Sequence, residues 1–307
     1  MSKDILIADI GATNARLAIS NGKSYSDSKI LKLHKFNSLI ELIESYLEKV
    51  SVSKAIIGVA APIMGDQITF INSPISFSIS KIKNSLFPGG LEVFNDLELQ
   101  AYALEILEEK DFNYLGETKE GLKGPKLLVS PGTGLGLAGL TELGEVISTE
   151  AGHLNVIDNH DSINILIQAF LKRFSRYPTY EDILSGKGIE FVYESLMGPK
   201  REKLNSEKII SNPENIETLY QIKLIILHMY ATFLRSACLM WGALGGVYLS
   251  GSITNSLFSN FDTSEFRKNF QQSKKMKHLL KMTPLIHVAR NDLGYLGAIN
   301  IINKRGY

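Results

Sequence analysis

Cysteine is almost absent from this 307-residue sequence, which contains only Cys238. A single thiol excludes an intramolecular disulfide and any zinc site built from CxxC pairs, and it fits a reducing cytoplasm. Neither sign of charge is in excess, since 33 basic and 32 acidic side chains give a formal net charge of +1. We therefore expect neither nucleic acid nor an anionic membrane surface as a partner.

Targeting and membrane-spanning segments are also missing. The N-terminal sequence MSKDILIADIG has no basic region and no cleavage site of the kind that marks a signal peptide. The most apolar stretch, 224–249, is interrupted by His228 and Arg235. Such a pattern favours a core helix running into a strand over a membrane span. The sequence therefore predicts a soluble, cytoplasmic protein.

Several nucleotide-binding signatures are absent. The sequence has no GxxxxGK[ST] loop and no HRD or DFG tripeptide, which excludes P-loop enzymes and protein kinases. Gly134, Gly136 and Gly139 do match G-x-G-x-x-G. A dinucleotide-binding fold would need a helix to open within those glycines, whereas the following LTELGEVIST predicts a hairpin.

Apolar runs typical of buried strands alternate with segments of helical spacing. Residues 4–10 and 15–20 predict strands, and 38–50 predict a helix capped by Ser38. The longest predicted helix starts near 212–213, runs to about Leu244 and stops at Gly245–Gly246. Alternation of this kind indicates a mixed α/β fold, and the length suits two domains better than one. A charged, Gly-containing stretch at 108–126 predicts the crossover between them.

Two Gly/Thr turns, one in each half of the chain, carry the strongest chemical signal. In DIGATN, consecutive backbone N–H groups and the Thr13 hydroxyl can surround phosphate oxygens, and Asp9 can hold a hydrated Mg²⁺. The alternative is a plain β-hairpin in which Asp9 bonds the turn. SPGTGLGLAG repeats the arrangement at Gly132–Gly134. A pair of such turns predicts phosphate binding more specifically than one alone.

Polar side chains of the type that bind hydroxyl groups follow predicted strands and turns. Asn95 and Asp96 lie where an apolar run meets a helix, and Glu150 and His153 flank Ala-Gly. Carboxylates and imidazole can exchange hydrogen bonds with the vicinal hydroxyls of a sugar. Glu181 is a further candidate, although its residue type alone favours a solvated acid at a helix start. The other histidines show no paired chemistry.

Taken together, these stretches resemble the bacterial glucokinase family of the actin-like ATPase (hexokinase-type) superfamily. From residue 4 to 298, the chain contains in the family's order DIGATNARLA, APIMGD, VFND, GTGLG, EAGH, LSGKG, LSGSI and DLGYLGA. ROK kinases share the fold but carry a Cys-rich zinc motif, which the single cysteine excludes. The resemblance implies an α/β, two-domain actin-like ATPase (ribonuclease H-like) fold with an interdomain active-site cleft. The implied domains are 1–107 plus 293–307, the smaller, and 108–292, the larger.

The resemblance also implies ATP-dependent phosphorylation of the 6-hydroxyl of glucose, with Asp96 as general base. The implied glucose ligands are Asn95, Asp96, Glu150, His153 and Glu181, with Asn72 near the sugar. The residues implied to hold ATP with Mg²⁺, the metal at Asp9, are Ala8, Asp9, Ile10, Gly11, Ala12, Thr13, Asn14, Gly132, Thr133, Gly134, Gly251 and Ser252. A homodimer is implied by the resemblance alone.

Other functions stay open at this point. The chain departs from the common family motifs at Ala12, Leu97, Ala151, Lys187 and Ser252, and none of these changes removes a functional side chain. Hydroxyl ligands cannot separate fructose, mannose or an amino sugar from glucose, and polyphosphate or ADP could replace ATP. A non-catalytic sugar sensor is a further alternative, against which the intact Asp96 argues.

Overall fold

The computed structural model describes residues 4–11, 13–48, 50–70, 74–158, 160–198, 202–211, 217–259 and 261–307. Its strands are β1 Ile5–Ile10, β2 Asn14–Ser20, β3 Tyr25–Lys32, β4 Lys54–Val59, β5 Gln67–Thr69, β6 Ser76–Ser78, β7 Gly90–Asn95, β8 Phe112–Tyr114, β9 Lys126–Pro131, β10 Leu135–Leu140, β11 Val146–Thr149, β12 Gly246–Leu249 and β13 Leu285–Val288. Its helices are α1 Leu39–Leu47, α2 Ile79–Leu86, α3 Asp96–Ala101, α4 Asp161–Phe174, α5 Glu181–Leu184, α6 Gly186–Met197, α7 Ser206–Ser211, α8 Glu217–Trp241, α9 Ser252–Phe258, α10 Ser264–Phe270, α11 Lys277–Met282 and α12 Leu293–Arg305.

Contacts between residues divide the chain into two compact units. The first comprises Met1–Leu107, Gly144–Ser148 and Asp292–Tyr307, and the second comprises Glu108–Leu143 and Thr149–Asn291. These units are defined by contacts, whereas a domain is a part of the chain that could fold alone. The domain bounds predicted from the sequence, 1–107 plus 293–307 and 108–292, therefore stay a prediction.

The first unit contains a sheet with the strand order β3-β2-β1-β4-β7. Strands β1, β4 and β7 run parallel, and β2 and β3 continue the sheet antiparallel. Because side chains alternate along a strand, Leu6 and Ala8 face a cluster that includes Leu42 of α1. Ile5 and Ile7 face a cluster with residues of α3 and α12. The same alternation assigns Asp9 to the α3 and α12 side of β1.

Close contact between α3 and α12 depends on glycine. A Cβ on Gly297 of α12 would overlap the carbonyl oxygen of Leu99 in α3. A Cβ on Gly294, one turn earlier, would lie 2.7 Å from the Cβ of Asp9. The glycines therefore let α12 pack directly against α3 and the end of β1.

The second unit is organised around β9, β12 and β13, which run parallel, with β10 antiparallel to β9. The strands of this unit's sheet follow the order β10-β9-β12-β13-β8. Helix α8 is long and apolar enough to cross a membrane, but 56% of its most apolar window is buried. Tyr230 and Phe233 of α8 belong to the unit's hydrophobic core, which is typical of a core helix.

The predicted end of that helix was wrong. Helix α8 ends at Trp241, three residues before the predicted Leu244, because Gly242 turns to a φ of +61°. The backbone N–H of Ala243 then bonds the carbonyl of Cys238 at 3.1 Å and closes the helix end. The start predicted at 212–213 lies outside the described residues.

Replacement of Gly297 by alanine tests the helix contact. The new Cβ would overlap a main-chain atom, so we expect Gly297→Ala to destabilise the protein by about 2 kcal/mol or more. The measurement is the free energy of unfolding in urea. Asn303→Ala, on an exposed position of the same helix, is the control and should change it by no more than about 0.5 kcal/mol. Equal effects of the two substitutions would contradict the contact.

Candidate active site

Asp9 is a buried carboxylate at the carboxyl end of β1. Asp9 is only 7% exposed. Gly294 packs close to it, since a Cβ on Gly294 would lie 2.8 Å from the Oδ2 atom of Asp9. The pKa of Asp9 is raised to about 7, mainly because the carboxylate is buried and secondly because the negative charge of Asp96 is nearby. Arg16, which is its cross-strand partner in β2, and a hydrogen bond from Gln100 act in the opposite direction. The site therefore disfavours the ionised form unless a cation is added.

The turn after β1 joins two antiparallel strands. The Gly11 N–H donates to the Asn14 carbonyl at 3.0 Å, and the Leu33 N–H donates to the Thr13 carbonyl at 3.0 Å. Lys32 donates to the Asn14 side chain at 2.8 Å. The turn is thus a hairpin, and among the described residues the hydrogen bond to the Asp9 side chain comes from Gln100 of α3. Ala12 lies outside the described residues.

Asn95 caps the helix that Asp96 begins. The Asn95 Oδ1 accepts from the N–H groups of Leu97 at 3.0 Å and Glu98 at 3.2 Å. The Glu98 carboxylate accepts from the Asn95 N–H at 3.4 Å, which completes a capping box. The Asn95 Nδ2 donates to the Ala61 carbonyl at 3.4 Å. The side chain predicted to bind the sugar is therefore also the N-cap that fixes the start of α3.

Asp96 is the half-buried first residue of α3. Its Oδ1 accepts from the Leu97 N–H at 2.8 Å, and the helix dipole favours negative charge at this end. Gln100 follows at i+4 and so shares the helix face of Asp96. The Gln100 Nε2 donates to the Asp9 Oδ2 at 3.4 Å. Gln100 was not among the site residues predicted from the sequence, although its i+4 spacing from Asp96 is visible there.

The second Gly/Thr turn connects β9 to β10. The Gly132 N–H donates to the Gly134 carbonyl at 2.7 Å, and the Gly186 N–H donates to the Gly132 carbonyl at 2.9 Å. Among the described residues, no heavy atom lies within 4 Å of the place a Gly132 Cβ would take. Thr133 is exposed. The turn thus offers an open backbone of the kind that can approach a phosphate.

Three predicted sugar ligands gather around the start of β10. The Glu181 Oε2 accepts from the Leu135 N–H at 2.9 Å, and it lies 2.6 Å from where a Gly134 Cβ would be. A Cβ on Gly152 would overlap the Leu135 carbonyl oxygen. The short turn that holds Gly152 also carries Glu150 and His153, whose side chains approach to 3.7 Å and are 60% and 53% exposed. Leu135 therefore anchors both segments.

The end of β12 supplies a second polar position in the same unit. Gly251 has a φ of +94°, and a Cβ there would lie 2.7 Å from the Ser130 Oγ, so only glycine fits. Ser250 is 2% exposed, and its hydroxyl has no hydrogen-bond partner among the described residues. Ser252 begins α9 and is exposed. A buried hydroxyl without a partner is suited to a polar ligand.

The donor atoms near Asp9 fit magnesium. Asp9 and Asp96 supply carboxylate oxygens, and Mg²⁺ binds in proteins through one or two carboxylates while keeping several waters. Within the parts of the chain that the structure describes, no group of three or more His, Cys, Asp or Glu residues is arranged as a metal cage.

The statement that the remaining histidines lack paired chemistry was wrong for His228. Its Nε2 lies 2.9 Å from the Asp158 Oδ2, and the Asp158 side chain is 7% exposed. The Thr232 hydroxyl also donates to this carboxylate, at 3.4 Å. Seventy residues separate the partners, so local spacing could not reveal the pair. It stabilises the packing of α8 in the second unit.

Comparison with known proteins gives a consistent answer. The family model for glucokinase matches residues 6–305. A glucokinase of Helicobacter pylori strain 26695 is 31% identical in a match that covers 95% of this chain and 94% of that protein.

Solved structures agree with this match. A glucokinase from an Antarctic psychrotroph has a TM-score of 0.83 at 25% identity and covers 99% of this chain and 100% of that one. A Balamuthia mandrillaris glucokinase in complex with glucose has a TM-score of 0.83 at 21% identity, covering 98% and 93%. The α/β actin-like ATPase fold predicted from the motifs is confirmed. The chain therefore belongs to the glucokinase family.

Proposed function

We propose that this protein transfers the γ-phosphoryl group of ATP to the 6-hydroxyl of D-glucose, giving glucose 6-phosphate and ADP. The position of Asp96 carries the proposal. It is a half-buried carboxylate at the first turn of a capped helix, beside the buried Asp9 whose pKa it helps to raise. Family membership over nearly the whole chain supports the choice of reaction.

Asp96 acts as general base. As the 6-hydroxyl oxygen of the sugar attacks the γ-phosphorus, its proton passes to the Asp96 carboxylate while the bond from the γ-phosphorus to the β–γ bridging oxygen breaks. ADP leaves with the electrons of that bond. Phosphoryl transfer asks the protein mainly for positioning and charge stabilisation, and a general base adds roughly 10²–10⁴-fold in rate.

The sugar hydroxyls bind to Asn95, Glu150, His153 and Glu181 in this proposal. The Leu135 N–H holds one oxygen of Glu181 at 2.9 Å, which fixes the carboxylate so that its second oxygen can accept from a hydroxyl. Glu150 and His153 are more than half exposed, as ligands for a soluble substrate need to be. Asn72, also predicted near the sugar, lies outside the described residues.

The nucleotide binds through the two Gly/Thr turns and the end of β12. The proposed residues are Ala8, Asp9, Ile10, Gly11, Ala12, Thr13, Asn14, Gly132, Thr133, Gly134, Gly251 and Ser252. Asp9 holds the hydrated Mg²⁺, which when bound neutralises charge on the phosphates. A cytoplasmic location and a homodimer remain predictions.

A coupled assay of ADP release tests the proposal directly. With ATP and Mg²⁺, glucose should exceed fructose, mannose and N-acetylglucosamine by tenfold or more in kcat/KM, about 1.4 kcal/mol of discrimination. A higher kcat/KM for another sugar would overturn glucose as the substrate. Sugar binding without turnover of any sugar would overturn the kinase and favour a sensor.

Asp96→Asn isolates the general base. The amide keeps the size of the side chain but cannot take the proton, so kcat should fall roughly 10²–10⁴-fold while glucose still binds. The measurements are steady-state kcat and the Kd for glucose. Asp161→Asn, at the exposed first residue of α4, is the matched control and should leave kcat unchanged. Near-full kcat in Asp96→Asn would contradict the role.

Asp9→Asn tests whether the buried carboxylate costs stability. Because the pKa of Asp9 is raised from 3.8 to about 7, the folded protein holds a proton that the unfolded chain releases in this interval. The stability of metal-free protein therefore falls as pH rises from about 4 to 7. At pH 8 we expect Asp9→Asn to be more stable than the parent by on the order of 2–4 kcal/mol, at ~1.4 kcal/mol per pKa unit.

The readout for Asp9→Asn is thermal unfolding in chelator at pH 4 and pH 8. The stabilisation should be largest at pH 8 and small at pH 4, where the folded side chain is neutral and the unfolded one, with a pKa of 3.8, is only about half ionised. A variant equally stable or less stable than the parent at pH 8 would contradict the raised pKa. Phosphoryl transfer should fall in the same variant, because Asp9 no longer holds Mg²⁺.

A further inference from the structure

Gln100 lies where it can control the orientation of Asp9. It sits one helical turn after Asp96 on the same face of α3 and is half-buried. Its Nε2 donates to the Asp9 Oδ2 at 3.4 Å. Among the described residues, this is the side-chain hydrogen bond that stabilises the charged form of Asp9. The two residues are 91 positions apart in sequence, so the contact is a product of the fold.

The surroundings of Asp9 make such a donor useful. The terminal torsion of an aspartate is broad, so packing alone defines the direction of its oxygens poorly. On one side the backbone of Gly294 closes on the Oδ2 atom. Asp96 repels the carboxylate and Arg16 attracts it. The amide of Gln100 adds a directed contact, which fixes the rotation and also favours the charged form.

The backbone that carries Gln100 is itself held firmly. Its neighbours Leu99 and Ala101 are both fully buried. A Cβ on Gly58 of β4 would lie 2.9 Å from the Leu99 side chain, and one on Gly297 of α12 would overlap the Leu99 carbonyl. Helix α3 is thus packed against a strand and a helix at minimal distance. The amide of Gln100 consequently has a fixed origin relative to β1.

We propose that Gln100 is a positioning residue that holds the Asp9 carboxylate in the orientation in which it binds the hydrated Mg²⁺ of the nucleotide. The amide engages Oδ2, so that Oδ1 can accept from a water of the ion. The inference rests on the proposed function, in which Asp9 holds this ion. It assigns Gln100 no contact with the sugar or the phosphates.

Calorimetric titration of the full-length protein with ADP, with and without Mg²⁺, tests the inference without relying on turnover. The ratio of the two ADP affinities is the magnesium enhancement. Gln100→Met removes the donor at similar length, and Gln100→Asn keeps an amide but shortens the reach. Both should lower the enhancement about 3–10-fold, as expected for one hydrogen bond of ordinary strength, because this bond is long at 3.4 Å. The affinity for ADP alone and the KM for glucose should not change.

Controls separate this role from a structural one. Gln168→Leu, at an exposed position of α4, should leave the enhancement unchanged. The double variant Asp9→Asn with Gln100→Met should match Asp9→Asn alone, because the two residues act through one interaction. A lower unfolding temperature in both Gln100 variants with an unchanged enhancement would overturn the proposal and leave Gln100 a packing residue.

The same titration distinguishes failure of the inference from failure of the proposed function. If Asp9→Asn abolishes the enhancement while both Gln100 variants retain it, Gln100 is not a positioning residue and the role of Asp9 stands. If Asp9→Asn itself retains the enhancement, Asp9 does not hold the ion, and the proposed function loses its metal residue together with the inference.

Discussion

A carboxylate buried beside a second carboxylate is the constraint on which the first unit depends. Asp9 is 7% exposed, and burial together with Asp96 moves its pKa to about 7. An isolated buried charge is expensive, and Arg16 offsets only part of that cost. Strained ionisable groups of this kind concentrate at functional sites, where a ligand supplies the missing charge. In the proposed function, the Mg²⁺ of the nucleotide supplies this missing charge.

Strand β1 and helices α3 and α12 together surround the buried carboxylate of Asp9. Alternation along β1 directs Asp9 toward α3 and α12, and the i+4 spacing in α3 directs Asp96 and Gln100 to one helix face. Gly294 and Gly297 then allow α12 to close the site from the other side. Each piece is an ordinary feature of an α/β unit. Together at the end of one strand, they surround the carboxylate that we propose to bind the cation.

In the second unit, the backbone of Leu135 links the residues proposed to bind the sugar to the glycine turn. The Leu135 N–H bonds Glu181, and its carbonyl oxygen allows only glycine at position 152. Glu181 also lies against Gly134 of the turn. A displacement of this turn would therefore reach Glu181 directly. The residues of this unit that we propose to bind sugar and nucleotide meet at Leu135, the first residue of β10.

Much of this could be predicted from the sequence because it is local. The strand periodicity of β1, the Ser38 cap of α1, which the structure confirms, and the ordered glycine motifs all lie within short windows. Asn95 and Glu98 also have the spacing of a capping box, which predicts that Asn95 caps the start of α3. Gln100 on Asp9 and His228 on Asp158 could not be predicted, since each contact joins distant segments. The early end of α8 depended on the φ of Gly242, which composition does not determine.

Titration of Asp9 in metal-free protein is the most direct test of whether this buried carboxylate has a raised pKa that a bound cation would lower. Carbon-13 NMR of the aspartate carboxyl groups, with Asp9→Asn to assign the resonance, follows its titration. The account predicts a midpoint near pH 7, where the free residue has 3.8, and a shift to the ionised signal when Mg²⁺ and ADP are added at pH 6.5. A midpoint near the ordinary value of an aspartate would contradict it.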